Sequence, residues 1–250
     1  MNRWMTRICG AGLLASMSLG LGSCASNDDM LVIIGAMFAQ PPDCSYLPSA
    51  TSQLLLSGIV DLGFGTNYGG SYGANYTAVL LVSNQLASRG SKARLRAETS
   101  NVTINNAEVR LLQNGTNELG YFSVPASGYI AVGSGEDSGF GAISIDVLPG
   151  SIKVPGTPAT GFIIAEIRLQ GTTLGGASIE SNLFRFEIFV VDSSVPGGNG
   201  LVYYPALSSA GLCDSNVCTT TTRTATACYP GQDSYISCCD CSKPFCQTPP

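Results

Sequence analysis

The chain contains no histidine. That absence removes the Ser-His-Asp triad, imidazole metal ligation and the commonest general base together. Charge is scarce as well: 12% of the 250 residues are charged, 12 of them basic and 17 acidic. A net charge of −5 without a basic run argues against nucleic acid as a partner, because that partner needs a Lys/Arg patch to displace counterions. No long segment of helical period occurs, and 30 glycines and 13 prolines disfavour helices. No cysteine lies between 45 and 212, so the core disulfide of immunoglobulin domains is missing. No Asp-x-Asp-x-Asp-Gly loop is present to bind calcium.

The N-terminus carries more information. It reads "MNRWMTRICGAGLLASMSLGLGSCAS", with Arg3 and Arg7 ahead of an uncharged stretch from Ile8 to Leu21. That stretch is shorter than the about 20 apolar residues a bilayer span requires, and the pattern predicts a secretory signal. Leu21-Gly22-Ser23-Cys24 resembles the lipobox of bacterial lipoproteins. The resemblance covers the first 24 residues and implies that Cys24 is acylated and becomes the first mature residue. Ala25 follows, where inner-membrane lipoproteins of Gram-negative bacteria usually carry Asp, so the resemblance implies the outer membrane. An acyl chain adds about 0.8 kcal/mol per buried methylene, and several chains make a lasting anchor. Loss of 1–23 with its two arginines takes the net charge from −5 to −7.

Downstream, short segments rich in Val, Ile, Leu, Phe, Tyr and Thr alternate with Gly, Asn, Ser and Pro. They predict strands at 53–62, 76–83, 93–99, 107–113, 119–124, 141–148, 162–170 and 183–191. In 183–191, Phe184, Phe186, Ile188 and Val190 share one face, with Arg185 and Glu187 opposite. In 162–170, Ile163, Ala165, Ile167 and Leu169 oppose Glu166 and Arg168. Period two with one charged face indicates half-buried antiparallel strands. Asn114-Gly115 predicts a hairpin, and 171–178 a second turn. "MLVIIGAMFA" at 30–39 suits a buried strand or a short helix. The expected fold is an all-β antiparallel sandwich of immunoglobulin-like architecture; a barrel or jelly roll fits the same pattern. The expected organisation is a signal peptide at 1–23, a lipidated, Pro-rich lead-in at 24–52, the β-domain at 53–192, a connector at 193–212 and a Cys-rich tail at 213–250. This order of lipobox, β-region and Cys-rich tail resembles uncharacterised Gram-negative outer-membrane lipoproteins, and the resemblance carries no activity with it.

Few residues nominate chemistry. "GGSYG" at 69–73 matches G-x-S-x-G around Ser71, but a nucleophile elbow also needs a helix and a histidine, so a flexible loop is the expectation. Tyr68, Tyr72 and Tyr76 share one side of an extended chain and form a candidate ligand-binding row for sugars or peptides; the competing reading is aromatics covering neighbouring strands. Glu136-Asp137 reads as a solvated turn. Removal of Cys9 and acylation of Cys24 leave eight cysteines: Cys44, Cys213, Cys218, Cys228, Cys238, Cys239, Cys241 and Cys246. Outside the cytoplasm such thiols oxidise, and the paired C-x-x-C knuckles of zinc modules are missing. The tail holds seven of the eight, so complete pairing requires Cys44 to bond a tail cysteine. The expected role is non-catalytic, without cofactor or metal: a structural or binding lipoprotein of the outer membrane, joined to the membrane by its lipid. The alternatives are a glycan- or protein-binding module, an envelope-polymer hydrolase, and a periplasmic metal-thiolate carrier.

Overall fold

Alternating burial runs through the long strands of the computed structural model, which describes residues 30–40, 43–63, 75–91, 97–134, 138–150, 152, 160–191, 202–203, 228, 232–233 and 236–237. The strands are β1 (Leu31–Met37), β2 (Leu54–Leu55), β3 (Gly58–Asp61), β4 (Tyr76–Asn84), β5 (Val102–Gln113) and β6 (Asn117–Ile130). They continue as β7 (Gly139–Leu148), β8 (Thr160–Thr173), β9 (Ser178–Glu180), β10 (Phe184–Val191), β11 (Val202–Tyr203) and β12 (Ile236–Ser237). No helix occurs among the described residues.

Ten strands join in one path, β2-β1-β4-β7-β6-β5-β8-β10-β3, with β9 paired to β8. All pairings in this path are antiparallel except β10 with β3. The path curls into a nearly closed barrel around one core, to which β1, β3, β4, β5, β6, β7, β8 and β10 all contribute. Ile163, Ala165, Ile167 and Leu169 of β8 face inward and are fully buried, as the alternation requires. Each such Ile or Leu stabilises the fold by about 1.5–3 kcal/mol through water release. The all-β, mostly antiparallel class is as expected, and the strands join in one continuous sheet. The physical reason lies in β6, which pairs with β5 along most of its length and touches β7 at Ser127 opposite Ser144. One long strand thus belongs to both halves.

β1 settles the choice at 30–39 in favour of a strand. It is hydrogen-bonded on both sides, to β2 and β4, so it sits inside the sheet rather than in the lead-in at 24–52. Leu31, Ile33, Ala36 and Met37 are buried, whereas Ile34 is 41% exposed, so the continuous apolar run is covered only in part. Met37 packs with Val79 and Leu81 on the outer face, beneath Tyr46 of the segment that follows. The strand expected at 53–62 divides in two, because β2 joins β1 while β3 joins β10, on opposite margins of the sheet. Of the strand expected at 93–99, residues 93–96 lie outside the described residues. Residues 97–99 are irregular, since the Glu98 carboxylate binds local backbone N–H groups, an alternative to ladder pairing.

The Asn114-Gly115 hairpin forms as expected between β5 and β6. Both residues have positive φ, 50° and 79°, and Thr116 N–H closes the turn on the Gln113 carbonyl at 3.2 Å. A side chain at Gly115 would be strained in this region and would meet Ile164. Gly115→Ala is expected to lower stability by about 1 kcal/mol, read as a shifted denaturation midpoint with unchanged slope. The turn at 171–178 also forms, with Gly176 at φ 85° between β8 and β9.

Candidate functional site

Between the barrel margins the described backbone forms only an isolated bridge, Leu31 with Ser181, and two side-chain amides extend the closure. A carboxamide has the donor and acceptor of a peptide group, so it can stand in for a strand residue. At one end Asn182 does this to Ile33 of β1. Its Oδ1 accepts from Ile33 N at 2.7 Å, and its Nδ2 donates to Ile33 O at 3.4 Å. At the other end Gln232, from the tail, does the same to Thr77 of β4. Its Oε1 accepts from Thr77 N at 2.9 Å and its Nε2 donates to Thr77 O at 2.6 Å. Its neighbour Asp233 holds β3, donating its N–H to Ile59 O at 2.9 Å and accepting from Ile59 N at 2.8 Å. Two tail residues thus span β3 and β4, which do not pair with each other. Four residues earlier, Cys228 is disulfide-bonded to Cys44, with 5.3 Å between the Cα atoms.

Tyr76 lies beneath this latch. It is fully buried, its ring 6.0 Å from that of Phe186, and its hydroxyl donates to the Asp233 carboxylate at 2.8 Å. Gly58 is required here, because a Cβ would overlap the Tyr76 hydroxyl. Burial, reinforced by the Asp233 charge, pushes the phenol far above its usual range. Burial also raises the Asp233 carboxyl, against the Ile59, Tyr76 and Gln232 hydrogen bonds that lower it. A phenol held this firmly protonated offers neither base nor nucleophile. Of the two readings of the tyrosine row, Tyr76 follows that of an aromatic packed against neighbouring strands: its side chain points into the core, where β4 alternation places it, and bonds to the tail. Tyr68, Tyr72, Ser71 and Glu136-Asp137 lie outside the described residues, as do Cys24, Cys213, Cys218, Cys238, Cys239, Cys241 and Cys246. The tail sequence also contains one C-x-x-C spacing, Cys238 to Cys241.

Two outward features complete the site. The outer face of β5, β6, β8, β9 and β10 carries a polar ladder. Arg110 pairs with Glu118 at 2.7 Å and with Glu166 at 3.5 Å, Arg185 with Glu166 at 2.8 Å, and Arg168 with Glu180 at 3.2 Å. Gln170 links Asn106 to Glu108, each at 2.9 Å. Tyr121 stands on this ladder, 61% exposed, with Glu108 raising its pKa through a hydrogen bond. Tyr121, Ser123, Pro125, Ser127 and Tyr129 are all exposed on one face of β6. The two tyrosines were missed in the sequence, although period two along 121–129 marks them. Exposed ion pairs of this kind contribute about 0–1 kcal/mol each, so the ladder shapes a surface more than it holds the fold.

The second feature is a cavity of about 220 Å³ at the end of the barrel where β1 begins. Met30, Leu86 and Ile179 form its apolar wall, and Arg89, Thr173 and Ser178 its polar one. The loop bearing Arg89 is fixed by Glu98, which accepts from Ser88 Oγ at 2.6 Å, Gly90 N at 2.7 Å, Ser100 N at 2.8 Å and Arg89 N at 2.9 Å. The Ser88 bond leads these in driving the Glu98 carboxyl below its usual range. No group of three or more metal-ligating side chains occurs among the described residues.

No protein family, curated protein or solved structure matches the chain.

Proposed function

We propose that the protein is a lipid-anchored, non-catalytic module of the bacterial outer membrane, tethered through Cys24 and serving a structural or binding role. The observation that carries this reading is "LGSC" at 21–24, placed six residues before Met30, where the chain enters the barrel. Six residues span at most about 20 Å, so acylation at Cys24 would hold the barrel close to the lipid. The tail is latched near Thr77 and Ile59, at the opposite end from Met30, and the anchor would present it away from the membrane. The remaining tail cysteines are six, an even number, and we read them as three further disulfides within the tail. The Tyr121 ladder favours a second reading, in which this face takes a protein or glycan partner of the envelope.

Cys24→Ser tests the anchor. The variant is expected to lose its acyl label and to leave the membrane fraction. A variant that remains acylated and membrane-bound overturns the reading.

A further inference from the structure

We propose that the outer face of β5, β6 and β8 binds a neutral saccharide, with Tyr121 stacking on the sugar ring and Asn106, Gln170 and Glu108 bonding its hydroxyls. Choosing a glycan over a protein rests on the second reading above, a partner on this face, and is independent of the anchor. Arg110 of β5 stands opposite Tyr121 of β6 and Glu166 of β8; Glu108 stands opposite Ser123 and Arg168, and Asn106 opposite Pro125 and Gln170. Strand alternation puts these side chains on the outer face, in an array about 10 Å across the strands and about 13 Å along them.

A continuous chain of hydrogen bonds ties the array together. Ser123 Oγ donates to Asn106 Oδ1 at 2.7 Å, Asn106 Nδ2 to Gln170 Oε1 at 2.9 Å, and Gln170 Nε2 to Glu108 Oε1 at 2.9 Å. The Tyr121 hydroxyl bonds to Glu108, so the chain starts and ends on β6. Each amide nitrogen has a second N–H, and the carboxylate has further lone pairs. Adjacent hydroxyls of a pyranose match that set: one accepts from an amide while its neighbour donates to the carboxylate. Because the side chains already hold one another, binding orders little that is free.

Charge narrows the class of ligand. Arg110, Arg168 and Arg185 are already paired with Glu118, Glu166 and Glu180. Glu108 and Glu187 bring this face to five acids against three arginines. An anionic ligand would have to displace one carboxylate and then meet the others. A protein partner needs an apolar, fully desolvated centre. Here Tyr121, 61% exposed, is followed on its face by Ser123 and Pro125, and Tyr129 lies roughly 26 Å along the strand. One exposed ring beside directed donors and acceptors suits a sugar, which has an apolar ring face and a rim of hydroxyls.

The test uses chain secreted without acylation and beginning at Ala25, which contains every described strand, so failure of the Cys24 reading does not affect it. Neutral oligosaccharides of glucose, galactose, mannose and N-acetylglucosamine are screened on an array, and the tightest is titrated by calorimetry. Saturable binding that salt does not weaken is expected, with amide shifts on β5, β6 and β8, and uronic-acid oligosaccharides should bind no more tightly. Tyr121→Ala should weaken binding about tenfold, and Gln170→Ala about fivefold. Tyr121→Phe keeps the ring and should stay within about fivefold of the parent. Leu56→Ala, on the bend between β2 and β3, should leave binding unchanged. Thermal melting checks that each variant is folded, and Tyr121→Val, a strand former without a ring, replaces Tyr121→Ala if that variant is not. No binding across the array, binding that a folded Tyr121 variant retains in full, or tighter binding of the uronic-acid series overturns the proposal. Tyr121-dependent capture of an envelope protein without saccharide binding also overturns it, while leaving a partner on this face intact.

Discussion

Replacing Cys44 and Cys228 together by serine is expected to remove roughly 5 kcal/mol of stability. The bridge joins residues 184 apart, and loop-closure bookkeeping assigns about that much to so long a loop. A domain is commonly stable by only about 5–15 kcal/mol, so the loss would place the variant near its unfolding threshold. For a chain of this size about 2–4 °C of Tm goes with each kcal/mol, giving a fall of about 10–20 °C. The effect also has a location. Cys228 stands four residues before Gln232, so the freed tail would leave the margin between β3 and β4. Amide exchange should accelerate first at Ile59 and Thr77, whose N–H groups the tail accepts. Non-reducing peptide mapping of native protein should yield a linked Cys44–Cys228 peptide. A double variant with unchanged melting, or a freely alkylated Cys44, would refute this account.

Asp233→Ala is expected to cost about 4 kcal/mol, because it leaves the buried Tyr76 hydroxyl and the Ile59 N–H without their partner. Asp233→Asn should behave differently. The amide keeps an acceptor for both groups and carries no charge. Burial raises the Asp233 pKa above its ordinary value of 3.8, so the folded state retains the proton to higher pH than the unfolded state. The stability contributed by this group is therefore full below 3.8 and is lost as pH rises through the raised folded value. Asp233→Asn should abolish that loss and flatten the profile above 3.8. Glu98 acts in the opposite sense. Its folded pKa lies below the ordinary 4.5, so its contribution is present above that value and lost as pH falls. Urea unfolding of Asp233→Asn and Glu98→Gln across pH separates the two. An Asp233→Asn profile parallel to that of the parent would exclude Asp233 as the source.

Local chemistry was legible wherever one residue type has one physical use. Asn114-Gly115 announced its hairpin through positive φ, and the alternation in 162–170 and 183–191 named the inward faces of β8 and β10 correctly. Complete pairing of the seven tail cysteines would call for Cys44 as a partner, and Cys44 is bonded to Cys228. Tyr76 was less legible, because an aromatic residue at a strand start fits both a surface row and a packed position. Only the position of Asp233, 157 residues away, distinguishes them.

By itself, then, the sequence determined the all-β class, most strand positions and the two turns. These follow from period and φ preference, which are local. The tertiary structure alone decided that the strands form one curled sheet and that 53–62 divides between its margins. It alone decided that Asn182 and Gln232 extend the closure of those margins. The reason is physical. Sheet order and closure depend on hydrogen bonds between residues more than 100 positions apart, such as Ile33 with Asn182 and Thr77 with Gln232, and no local preference encodes such a pair.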